Sequence, residues 1–127
     1  MSVLTSSRIA TFIATNDRAR ARDFYANVLG LEIAFEDDWA IEFNANGTSL
    51  RIQTGGSGNF KPQEFTVLGW HVDDIEAAMA ELRERGVVFE QYPWMPPDSN
   101  GVMTFPGGAK VAWFKDPDGN VLSLDQY

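Results

Sequence analysis

Residues 116–125 read DPDGNVLSLD, a tight-turn signature followed by a run that alternates as a strand does. A serine, Ser123, stands in the middle of that strand. The stretch NGTSLR at 46–51 is laid out alike, with Gly47 four positions before Arg51 as Gly119 is four before Ser123. Two hairpin turns therefore introduce two strands that each carry one polar residue at a matched place. Both turns, Asn46-Gly47 and Asp118-Gly119, need no role beyond chain reversal.

Working outward, the match extends to helices. In 17–30, DRARARDFYANVLG, residues Ala21, Phe24, Tyr25, Val28 and Leu29 share one helical face, with Asn16 or Asp17 able to cap it and Gly30 to stop it. In 73–86, DDIEAAMAELRERG, residues Ile75, Ala78, Met79 and Leu82 recur at three- and four-residue steps before Gly86. Strands are predicted at about 8–14, 31–36, 38–44, 48–53, 65–72, 87–91, 102–105, 110–115 and 121–125. The order is strand-helix-strand-strand-strand, twice, which makes the chain an α+β duplication. The second half is lengthened by YPWMPPDSNGVMTFPGG at 92–108, a Pro- and Gly-rich loop suited to a lid or pocket rim.

The 127 residues fit one domain, with module one at about 7–60 and module two at about 64–127. An apolar fraction of 44% with nine Phe and four Trp is that of a folded chain with a real core. A formal charge of −8 repels phosphate backbones and anionic bilayers, so nucleic acid and membrane are excluded as partners. No cysteine is present to build a disulfide, a thiolate nucleophile or a Cys-based zinc site, and no long apolar run follows the N-terminus. A cytoplasmic location is expected.

Three motifs in order, DFYANVLGLEI (23–33), HVDDIEAAMAELRERGV (71–87) and KDPDGNVLSL (115–124), resemble the glyoxalase / bleomycin-resistance / extradiol-dioxygenase superfamily, the vicinal oxygen chelate proteins. That resemblance implies two βαβββ modules joining into an open, curved mixed sheet around a cavity with the helices outside. It also implies a homodimer, and four metal-ligand positions that fall here on Ala10, Arg51, Val67 and Ser123. None of these is His or Glu. A transition metal needs several imidazole, carboxylate or thiolate donors, and the chain has one histidine and no cysteine, so no metal and no cofactor is expected.

Strand alternation sets Phe12 on the side of Ala10, Gln53 on that of Arg51, His71 on that of Val67 and Asp125 on that of Ser123. The candidate ligand-binding residues are Phe12, Trp39, Arg51, His71, Trp94 and Ser123. Arg51 would hold an anionic ligand group, or else pair internally with Glu42 or Asp125. His71 would be a base or a solvated rim residue, with no orienting partner evident. Trp39 and Trp94 are rim candidates, whereas Trp70 has the opposite parity to His71 and is expected to pack toward the helices. Two functions compete. One is a metal-free protein that binds a small organic ligand, with antibiotic or toxin sequestration as its role. The other is a glyoxalase-like lyase or isomerase working by acid-base chemistry; a metal-dependent dioxygenase ranks below both.

Overall fold

The computed structural model describes residues 2–54 and 59–127, so residues 55–58, inside module one as drawn from sequence, lie outside the described part. Two compact units part between Lys61 and Pro62. The first runs β1 (Ala10–Thr15), α1 (Arg18–Asp23), β2 (Glu32–Glu36), β3 (Ala40–Ala45) and β4 (Thr48–Thr54). The second runs β5 (Thr66–His71), α2 (Ile75–Glu84), β6 (Val102–Thr104), β7 (Lys110–Lys115) and β8 (Val121–Gln126). Each unit forms an open four-stranded sheet, ordered β1-β4-β3-β2 and β5-β8-β7-β6. In both, the first strand lies parallel to the last and the remaining pairs are antiparallel. The α+β duplication expected from the two turns is thus present strand for strand.

Both helices begin on an aspartate whose carboxylate accepts from the third following amide, Asp17 from Arg20 N and Asp74 from Ala77 N, each at 3.1 Å. Both end where a glycine takes a left-handed conformation, Gly30 at φ 76° and Gly86 at φ 95°. The first helix departs from the expected pitch. After Asp23 the chain widens into a π-turn over Phe24–Val28, in which Leu29 N donates to Phe24 O across five residues at 2.9 Å. Tyr25 is nevertheless fully buried, its ring 6.0 Å from that of Phe43.

One face of each sheet is sealed by its helix. Ile41, Phe43, Leu50 and Ile52 with Ala21 and Tyr25 form the first core, and Ile75, Met79, Ala112, Phe114, Leu122 and Leu124 the second. Each such large side chain contributes about 1.5–3 kcal/mol by leaving water. Trp70 stacks at 6.4 Å on Phe114, on the helix side as its parity requires. From the first helix, Arg22 and Arg18 reach Glu36 on β2 at 3.0 and 3.6 Å, and the Arg22 hydrogen bonds hold the Glu36 carboxyl below its usual range.

Two expectations fail locally. The predicted strand at 87–91 is only a single bridge, Phe89 to Phe114, with Glu90 N donating to Trp113 O at 2.8 Å. Beyond it Pro93, Pro96 and Pro97 have no amide to offer a ladder. In β5 the register shifts between Thr66 and Leu68, so Val67 is the extra residue of a bulge. Val67, which alternation set on the side of His71, thus has no register partner on β8, and Ser123 stands opposite Gly69.

Candidate functional site

The face of the second sheet away from α2 is a small grid set by strand register. Across β5, β8 and β7, one row is His71, Asp125 and Val111; the next is Gly69, Ser123 and Trp113; the third is Thr66, Val121 and Lys115. Trp113 dominates it. Its indole N–H donates to Thr66 Oγ1 at 3.1 Å, two strands away, so the ring crosses β8 at the level of Ser123 and Val121. Beneath that crossing Ser123 and Val121 are 8% and 4% exposed. Gly69 makes room from the other side, because a Cβ there would stand 2.5 Å from Ser123 Oγ.

Two more rings from the long loop complete the cluster. Tyr92 and Trp94 stack almost in parallel, 5.7 Å apart at 9°, and both set an edge against Trp113 at 5.8 and 5.6 Å. The outer surface of Trp94 faces solvent, 58% exposed. The loop holding it is pinned rather than free. Gln91 accepts from Ser99 Oγ and Gly101 N and donates to Pro96 O, while Met95 is buried with its sulfur accepting from Tyr92 N. These bonds brace the loop against itself beside the cluster. Burial, with the Glu90 carboxylate as a second cause, pushes the Tyr92 phenol above its ordinary value, so that it stays a neutral donor. Beside the cluster a cleft of about 420 Å³ is lined by Pro62, Glu64, Tyr92, Lys115, Gly119 and Val121. Of its charged lining residues, Lys115 pairs at 3.8 Å with Glu90 outside the cleft.

His71 does have a partner, contrary to expectation. Its Nδ1 meets Asp125 Oδ1 directly across the β5–β8 pair, and its ring lies 5.4 Å from that of Tyr127. Alternation shows that residues 71 and 125 share a face, yet only the parallel β5–β8 register reveals that they are opposite.

The corresponding face of the first sheet carries Phe12, Arg51, Glu42 and Phe35 abreast on four strands. Arg51 Nε stands 3.9 Å from Glu42 Oε1, and this buried atom lacks a hydrogen-bond partner. Of the two internal mates expected, Glu42 is beside it. Phe12 and Phe35 flank the pair, 56% and 55% exposed. Trp39 stands off in the β2–β3 turn, 80% exposed, where Asp37 accepts from Trp39 N and Ala40 N and is thereby lowered from its usual carboxylate value. Of the three rings in this cluster the sequence candidates include Trp94 but neither Tyr92 nor Trp113, although Trp113 shares the parity of Lys115 and Val111 in its own strand.

The four positions that the resemblance assigns to a metal offer a methyl, a guanidinium, an isopropyl and a hydroxyl, which is not a donor set for a divalent cation. Among the described residues no three His, Cys, Asp or Glu side chains are grouped to hold an ion. Nor is any helix long and apolar enough to cross a membrane.

Comparison with known proteins gives the same fold. Among solved structures, a superfamily member from Sphaerobacter thermophilus DSM 20745 is 27% identical over 95% of this chain and 97% of its own, with a TM-score of 0.71. TnmS3, an antibiotic binding protein from Streptomyces sp. CB03234, is 25% identical over 94% of both chains, with a TM-score of 0.67. A lactoylglutathione lyase from Agrobacterium tumefaciens, at 16% identity and a TM-score of 0.68 over 95% of this chain and 93% of its own, shares the fold. No curated protein sequence matches. A family model described as the Glyoxalase/Bleomycin resistance protein/Dioxygenase superfamily matches residues 7–124. With nearly the whole chain covered by that match and the duplicated βαβββ topology in place, the protein belongs to the glyoxalase / bleomycin-resistance / dioxygenase superfamily.

Proposed function

We propose that this protein binds a planar, aromatic small molecule without a metal, in the manner of a sequestering protein. The observation that carries the proposal is the Tyr92–Trp94–Trp113 cluster, whose outermost ring is solvent-facing while its base is hydrogen-bonded and buried. Stacking on an indole already held in place avoids the cost of ordering that side chain on binding. The Tyr92 hydroxyl and the adjoining cleft supply the oriented polar contacts that such sites use. The likeness to an antibiotic binding protein at 25% identity supports the same class. Of the other sequence candidates, Ser123 serves by seating Trp113, and Arg51 with Phe12 forms a separate surface for an anionic group on module one. Trp39 is left as a solvent-facing turn residue. A homodimer in the cytoplasm completes the proposal, its assembly checked by sedimentation.

Titrating a panel of polycyclic aromatics against tryptophan fluorescence tests the cluster. Saturable quenching is expected, weakened at least tenfold in Trp94→Ala and unchanged in Trp39→Ala. Equal loss in both variants would overturn it. The metal-free part is tested separately. A cation bound at a hundred times its dissociation constant would stabilise the fold by about 2.7 kcal/mol. Zinc, nickel and manganese are therefore expected to leave the melting temperature of chelator-treated protein where it was.

A further inference from the structure

The proposed binding function leaves one feature of the second sheet unused, the His71–Asp125 pair. His71 is the only imidazole of the chain, and its side chain is 77% exposed against 18% for that of Asp125. An ionised carboxylate only accepts, so Nδ1 carries the hydrogen, and the neutral form of the ring has its lone pair at Nε2. The backbone on either side of the pair is held, because Val72 N donates to the Asp125 backbone carbonyl at 2.8 Å, and the ring of Tyr127 lies beside the imidazole. Nothing else charged comes from the neighbouring grid positions, which are Gly69 on β5, Ser123 on β8 and Val111 on β7. Among the described residues, the titratable groups in contact with it are Asp125 and Tyr127.

A histidine fixed at one nitrogen by a half-buried carboxylate and open at the other is the arrangement of a general base. Its row adjoins the Gly69–Ser123–Trp113 row, about 7 Å away along the strands. The Trp113 ring itself lies over Ser123 and Val121, farther along the strands from His71, so a substrate that also stacks on the cluster is one long enough to span more than that spacing.

We infer that His71 Nε2 removes a proton from a weakly acidic C–H of a planar, conjugated substrate, and that Asp125 is a positioning residue that fixes the imidazole tautomer and stabilises the imidazolium. The proton passes to Nε2, and the electron pair it leaves moves into the conjugated system. The imidazolium then returns the proton at another carbon, completing an isomerisation, or the electron pair expels a leaving group in an elimination. Neither course needs an oxidant, a reductant or a metal. The choice of a planar substrate rests on the proposed binding function; the base itself does not.

Nitrobenzisoxazole is a probe of both, being flat, uncharged and cleaved by proton removal alone. Its C–H proton goes to the base, the C–H electrons become the third bond of a nitrile, and the N–O bond breaks to give a coloured phenolate. The expected result is acceleration over buffer by roughly 10²–10⁴-fold, the range of a positioned base, lost in His71→Gln. Asp125→Asn should lower kcat about tenfold and convert the ¹⁵N spectrum of the His71 ring from one tautomer to a mixture, with Asp125→Glu restoring both in part. Turnover unchanged in His71→Gln, or a single tautomer retained in Asp125→Asn, overturns the inference. Saturable binding without His71-dependent turnover removes the base and spares the cluster. Turnover dependent on His71 with KM unchanged in Trp94→Ala removes the cluster and spares the base.

Discussion

Gly69 and Ser123 explain one another at the scale of single residues. The Ser123 hydroxyl leaves no room for a Cβ opposite it, and Trp113 closes the space above. Gly69→Ala is therefore expected to destabilise by about 1 kcal/mol, the low end for overpacking because a hydroxyl can turn aside. With Ser123→Ala added, the new methyl would meet atoms no nearer than 3.4 Å, so the double variant should recover most of the loss in urea melts. Additive losses would mean that the glycine is needed for another reason. The oddity of a serine in that strand was plain from sequence, as were the exposed Trp94 and the parity of Trp70. What covers the serine was not, since a bond from β7 to β5 over β8 depends on strand order. The bulge at Val67 left a trace in the glycine two residues later, because glycine inside a strand marks a bulge or a close approach. Tyr92 allows a check by pH. Its phenol is raised in the fold, so the stability it adds is complete below the ordinary tyrosine range and is lost as pH climbs through the higher folded value. In ultraviolet titration Tyr92→Phe should lose one tyrosine's worth of absorbance change from above the ordinary tyrosine range, and an unchanged curve there would refute the shift.

Among the elements, the turns and helix ends were the most legible because their chemistry is local. Asp17, Asp74, Gly30 and Gly86 do what their positions suggest, whatever surrounds them. The π-turn at Phe24–Val28 and the missing strand at 87–91 were hidden. Each is decided by how the segment meets its sheet, and a run with strand-like alternation still needs an open edge to join. The turn at 116–120 is more than a reversal. Asp116 is 5% exposed, and its carboxylate accepts from Asp118 N, Asn120 N and Asn120 Nδ2 at 3.0, 2.9 and 2.8 Å. Asp116→Ala would strand these donors and should cost about 2–3 kcal/mol, several times a surface change. Removing the α2 cap in Asp74→Ala should cost about 1 kcal/mol. Chemical denaturation of both variants tests the ranking, and a smaller loss for Asp116→Ala would show that water reaches the turn.

For the molecule as a whole, duplication was readable because both halves keep their turn, cap and stop residues, and each half then closes into a sheet of the same strand order. Charge, also plain from composition, is where function and fold meet. Eighteen acidic against ten basic side chains give −8, and around the proposed site Lys115 is already paired with Glu90 while Glu64 lines the cleft. The field over the aromatic cluster should favour cations, whereas stacking on Trp94 is indifferent to charge. Three probes of one shape separate the two effects: an N-methylacridinium, neutral acridine and an acridine carboxylate. Affinity should fall in that order at low salt. Raising ionic strength from about 0.01 M to about 1 M shortens the Debye length from about 30 Å to about 3 Å, so the cation should weaken several-fold, the anion should gain and the neutral probe should hold. If all three respond to salt alike, the net charge of the chain plays no part in choosing its ligand. If the carboxylate binds tightest and loses that advantage in Arg51→Ala, the row of Phe12, Arg51, Glu42 and Phe35 on the first sheet is the ligand surface instead.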